Sequence, residues 1–193
     1  AEDGIRDVER SRGLGDVYKR QVIHHLQQWD SNLFMRIFNM NGGRLVNKSL
    51  FWVSRSGDGH LYILIMSSLL VFRPNEWKII FVCGSCAFTI ELCLYFLVKK
   101  KVKRDRPFER IEGISFLIQP PDRFSFPSGH TAGAFMVSIV LGNFYSVVMF
   151  PMLAWATVVG FSRIYLGVHY PTDVLAGTLL GIASAMIGLH FIT

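Results

Sequence analysis

Three stretches hold residues that could do chemistry together: Lys99 and Arg106 with Pro107 behind them, the turn Pro127-Ser128-Gly129-His130, and Ser162-Arg163 followed by His169 and Asp173. Lys99, Arg106 and Arg163 are three cations. Ser128 is a good helix N-cap, Gly129 permits close backbone approach, and a helix opening there points unpaired N–H groups at an anion. His130, His169 and Asp173 add two imidazoles and a carboxylate. A phosphate dianion asks for that combination, because phosphoryl transfer needs its charge neutralised, a nucleophile supplied and the leaving oxygen protonated. Pro171 is a favoured first helical residue, so a helix should begin just after His169 and carry Asp173 in its first turn. From there the carboxylate either hydrogen-bonds the His169 ring or complements the helix dipole.

The elements that must position these residues are apolar. Of 193 residues 51% are hydrophobic and 13% aromatic, more than a soluble domain of this length carries. The net charge of +6 could suit nucleic acid, but the basic residues are interleaved with apolar runs, which fits lipid headgroups or phosphate and argues against a nucleic-acid partner. Leu61–Phe72 is a short apolar run after the breaker Ser56-Gly-Asp-Gly59, and Trp77–Val98 is long enough to cross hydrocarbon. Runs at 129–145, 147–162 and 172–192 follow. The fold class expected is all-α, a polytopic membrane bundle of about five transmembrane helices. An N-terminal amphipathic helix within Val22–Arg55, with Leu26, Trp29, Leu33, Phe34, Ile37 and Phe38 at helical spacing, lies on the membrane surface. Residues 1–21 are charged and aperiodic and read as a foreign or disordered extension, leaving 22–193 as one domain.

Counting five spans puts all three polar stretches on one side of the bilayer, where independent start and stop signals would scatter between both. Smaller features have plainer readings. Glu91 is costly in lipid, about 2.5–3.5 kcal/mol near mid-helix, so it should face the bundle and find a partner. Cys83-x-x-Cys86 has no second pair and reads as packing. His24-His25 near Asp30 reads as a solvated pair and not a metal site. Gly177, Gly181, Ala185 and Gly188 form a close-packing stripe.

Lys99-x6-Arg106-Pro107, Pro127-Ser128-Gly129-His130 and Ser162-Arg163-x5-His169-x3-Asp173 together resemble the three-part signature of the type 2 phosphatidic acid phosphatase superfamily, over about residues 22–193. The resemblance implies a lipid phosphate or diphosphate phosphatase acting on a substrate of the undecaprenyl diphosphate, phosphatidate or phosphatidylglycerophosphate class. His169 is then the nucleophile, Asp173 orients it, and His130 protonates the leaving oxygen. Lys99, Arg106, Ser128, Gly129 and Arg163 hold the phosphoryl oxygens, with no metal or other cofactor. The alternative is a non-enzymatic protein that binds or transports lipid phosphates on the same scaffold. Six spans are common in the family where five are counted here. On the five-span count every Lys and Arg except Arg73 and Lys78 falls on the site face, which the positive-inside rule would make cytoplasmic. The resemblance implies instead a multi-pass cell-membrane protein with its site on the extracytoplasmic face.

Overall fold

Punctuation in the sequence sets the helix boundaries. The computed structural model describes residues 21–40, 42–114, 116, 118–120 and 122–191, so the reading of 1–20 as an extension lies outside the described residues. Helix α1 is seen from residue 21 to 38, and α2 runs Gly43–Ser56. The single amphipathic element expected within 22–55 is therefore two helices, broken where Gly43 takes a positive φ of 73°. Gly57, Asp58 and Gly59 turn the chain into α3, His60–Phe72, with Gly59 left-handed at φ 92°. Only Arg73 separates α3 from α4, Pro74–Val102, which Pro74 opens from a position that needs no N–H. Pro107 opens the short α5, Pro107–Arg110. The last three helices are α6, Gly129–Phe144, α7, Ser146–Tyr165, and α8, Pro171–His190.

The described residues form an all-helical bundle centred on α6, which packs against α4, α7 and α8, while α3 leans on α4 and α2 on α7. Ile80, Cys83 and Ala87 of α4, Met136, Val140 and Leu141 of α6, and Ala185 and Leu189 of α8 make the largest buried cluster. Cys83 is thus a packing residue, as expected. The glycine stripe on α8 lies against backbone: a Cβ on Gly177 would stand 2.4 Å from the Ser128 carbonyl oxygen, and one on Gly181 2.2 Å from that of Ala132.

Among the described residues three stretches are long and apolar enough to cross a membrane: Pro74–Arg110, which contains α4, then Ser146–Tyr165 and Pro171–His190. The two other expected spans are shorter. At about 1.5 Å per residue the 16 residues of α6 and 13 of α3 reach less than the ~30 Å of hydrocarbon. Glu91 faces the bundle at 3% exposure, yet among the described residues no hydrogen bond to its carboxylate is formed. Tyr62 and Tyr95 are its near electrostatic neighbours, so the partner expected for it is proximity to two phenols and not a bond.

Candidate active site

The three motifs meet at one end of the bundle because each lies at a helix end facing the same way. Lys99 closes α4, Arg106 caps α5, Ser128 precedes α6, Arg163 closes α7, and His169 leads into α8. Lys99, Arg106, Ser128, Arg163, His169 and Asp173 are all buried, and His130 is half-buried.

His169 lies at the centre. Its Nε2 is 3.4 Å from Arg106 Nη1, which also donates to the Val168 carbonyl at 2.7 Å. Its backbone N–H donates to the Arg163 carbonyl at 3.2 Å, tying the turn 166–170 to the end of α7. Burial, followed by the charges of Arg106, Arg163, His130 and Lys99, holds the His169 imidazole well below its usual pKa. A neutral ring with its lone pair available is the consequence.

Asp173 is behind that ring, but the hydrogen bond is not made: His169 Nδ1 is 3.8 Å from Asp173 Oδ2 and has no hydrogen-bond partner. Instead Oδ2 accepts the Tyr170 N–H at 2.8 Å and Oδ1 accepts from Arg104 Nη1 at 2.8 Å. The first of these caps α8, so of the two roles open to this carboxylate from sequence the helix start wins directly.

Arg163 is 1% exposed, and its Nη1 donates to Ser54 Oγ at 2.7 Å while its Nε is a buried donor with no acceptor. An unspent guanidinium N–H in such a place is suited to an anion. Ser128 departs from expectation. Its hydroxyl makes no side-chain cap and pairs with Thr131 Oγ1 at 2.9 Å, while its N–H donates to the Asp173 carbonyl at 3.0 Å. Gly129 packs closely against a side chain, since a Cβ there would stand 3.0 Å from the Tyr95 ring.

Three acids escaped the sequence reading. Asp58, in what read only as a helix breaker, pairs its Oδ1 with His130 Nε2 at 2.6 Å. That hydrogen bond is the main reason its carboxyl lies below the ordinary range; burial opposes it, and the charges of His130, Arg163 and Arg55 assist. Asp122 bridges Lys99 and Arg106: Oδ2 accepts from Lys99 Nζ and Tyr95 Oη, and Oδ1 accepts from Arg106 Nη2 at 2.5 Å. Burial pushes the Asp122 carboxyl upward, but the bonds from Lys99, Tyr95 and Arg106 outweigh it and leave it below the usual value. Asp30, read as part of a polar face beside His24 and His25, is 1% exposed and bonded to Arg104 and Thr172. An acid between two glycines at a helix turn on the site face is the signal that could have found Asp58; Asp122 is one of four acids in its basic loop and has no such mark. Among the described residues no group of three or more His, Cys, Asp or Glu side chains could hold a metal ion.

Known proteins resemble this chain in sequence and in fold. An archaeal protein named undecaprenyl-diphosphatase, from Sulfolobus acidocaldarius, is 30% identical over 152 residues, which is 76% of this chain and 70% of that protein. The crystal structure of Aquifex aeolicus LpxE matches with a TM-score of 0.71 at 29% identity, covering 82% of this chain and 93% of that one. A transmembrane PAP2-type phosphatidylglycerolphosphate phosphatase from Bacillus subtilis shares the fold, with a TM-score of 0.70 at 22% identity over 86% of both chains. The pattern of the PAP2 superfamily itself matches residues 77–193, which carry Lys99, Arg106, Ser128, His130, Arg163, His169 and Asp173. With that span of the sequence matched and all three motifs gathered at one end of its bundle, the chain belongs to the PAP2 superfamily.

Proposed function

We propose that this protein is an integral-membrane phosphatase of lipid phosphates or diphosphates that works through a phosphohistidine. The observation that carries the reading is the convergence on His169 of three cations, a second imidazole and a guanidinium N–H with no acceptor. His169 Nε2, on the side of Arg106, attacks phosphorus, while Nδ1 keeps its proton toward Asp173. The bond from phosphorus to the leaving oxygen breaks, and His130 delivers a proton to that oxygen. A water, deprotonated by His130 in turn, then attacks the phosphohistidine and breaks the P–N bond, which returns His169 and releases inorganic phosphate. Lys99, Arg106, Arg163 and the N–H groups at the start of α6 carry the charge of the phosphoryl oxygens, the work a metal does elsewhere.

Burial and the Arg163 charge hold the His130 imidazole below its usual pKa, and the bond to Asp58 works against them by favouring the protonated ring. Asp58→Asn keeps the shape and removes the charge. The expected result is a kcat lower by about 10–100-fold with KM nearly unchanged, measured by phosphate release.

The lipid character of the substrate rests on a cavity of about 380 Å³ that begins at Asp58 and Tyr62, beside His130. It runs between α3, α4 and α6 past Met66, Gly84 and Val137, and its walls are almost wholly apolar. A hydrocarbon chain suits it, with the phosphate at the polar end. Gly84 leaves open space where a Cβ would go. Gly84→Leu should fill the cavity without strain, raise KM for long-chain lipid phosphates about tenfold, and leave hydrolysis of a short water-soluble phosphate ester intact.

Two of the substrate classes stand in the names of its relatives, polyprenyl diphosphate first and phosphatidylglycerophosphate beside it; phosphatidate is the third that the motifs allow. The chain crosses the membrane several times and works on its extracytoplasmic face. The deciding experiment incubates the purified protein, in detergent with EDTA, with each of these lipids and measures phosphate. Release from at least one, blocked by orthovanadate, supports the reading. Headgroup binding with no turnover on any of them would favour a lipid-phosphate binding or transport protein instead.

A further inference from the structure

Arg104 is not among the phosphate-facing cations, yet it is bonded to the acid behind the nucleophile. Its Nη1 donates to Asp173 Oδ1 at 2.8 Å and to Thr172 Oγ1 at 2.7 Å, and its Nη2 donates to Asp30 Oδ2 at 2.6 Å. Its guanidinium carbon lies 4.0 Å from the centre of the Tyr170 ring, next in sequence to His169. Asp30 reaches the same place from α1. It accepts the Thr172 N–H at 2.9 Å and the Thr172 hydroxyl at 2.5 Å, so it also closes the start of α8. Asp30 and Asp173 are 1% and 0% exposed. Two buried carboxylates therefore share one guanidinium across a sequence separation of 74 residues on one side and 69 on the other.

This sharing bears on His169. Asp173 stands 3.8 Å from Nδ1, about an ångström short of a hydrogen bond, and its free choice of position is limited by Arg104. How strongly Arg104 draws Asp173 away depends on how much of its charge Asp30 already engages. We infer that Asp30 is a positioning residue for phosphoryl transfer: by dividing Arg104 with Asp173 it leaves the catalytic carboxylate free to close on the His169 ring as positive charge develops there. The helix that carries Asp30 also exposes Val22, Ile23, Leu26 and Trp29, so an element with an apolar outer face is bolted through Arg104 to the acid behind the nucleophile.

This inference rests on the phosphohistidine reading, and the test separates the two. Asp30→Asn keeps an acceptor for Thr172 and removes the competing charge. In the full-length protein, kcat for lipid phosphate hydrolysis should fall about 10–50-fold, while KM and the orthovanadate inhibition constant stay within about twofold of wild type. Single-turnover labelling should show slower formation of the phosphoenzyme. Wild-type kcat in Asp30→Asn overturns the inference. So does a parallel loss of kcat and vanadate binding, which would mean that Asp30 only holds the site together. If Asp30→Asn yields no folded protein, Thr172→Val removes the hydroxyl shared by Asp30 and Arg104 without burying a lone charge. It should lower kcat about 3–10-fold at unchanged KM, and an unchanged kcat overturns the inference again. His169→Ala is run alongside. Turnover persisting in that variant ends the phosphohistidine reading itself, whatever Asp30 does.

Discussion

His169→Ala should insert and fold as the wild type does, bind orthovanadate weakly, and release phosphate at a rate lower by on the order of 10⁴–10⁶. The size follows from what no neighbour can replace. His169 is 2% exposed and neutral, and it is the ring that Arg106, Arg163, Lys99 and His130 all surround. His130 cannot take over, because its Nε2 is engaged by Asp58. The cations remain in place without the imidazole, so an oxyanion still finds donors but no nitrogen to bond with. Phosphate release from the preferred lipid, together with vanadate binding by calorimetry, checks both halves. Activity within tenfold of wild type would remove His169 from the reaction.

Arg163→Met should move activity and stability in opposite directions. Arg163 is buried, spends one N–H on Ser54, and among the described residues has no carboxylate within ion-pair distance. A buried cation without a direct counter-ion costs several kcal/mol of desolvation, and methionine fills a similar volume at none of that cost. We expect about 1–3 kcal/mol of added stability, less the loss of the Ser54 bond, seen as a higher melting temperature in detergent. Hydrolysis should fall about 10³-fold or more, since a guanidinium aimed at a phosphoryl group stabilises its transition state by that much. Lower stability together with lower activity would show that Arg163 has a structural role instead.

Much of the site was legible because its residues sit at helix ends that Pro, Gly and Ser mark locally. Pro171 opening α8 and the Gly57-Asp58-Gly59 turn both follow from type and spacing. The carboxylates did not follow. Asp58 meets His130 across 72 residues, and Asp30 meets Arg104 across 74. Pairings at that separation leave no period in the sequence, and an acid looks the same on a solvated face as inside a guanidinium fork. The lengths of the spans were only partly legible for a related reason. Hydropathy gives the apolar length of a run, but where a helix stops is fixed by caps, as at Tyr145 between α6 and α7, which leaves α6 at 16 residues.

The seam between α6 and α8 limits how this scaffold can vary. Gly177 and Gly181 bring the α8 main chain onto the carbonyls of Ser128 and Ala132, with no room for even a methyl group between them. The helix that follows His169 and the helix that opens after Ser128 thus behave as one jaw of a vice. Variation is open along the cavity wall at Gly84 and Val137, and closed at this joint, where a single added carbon would pry α6 and α8 apart.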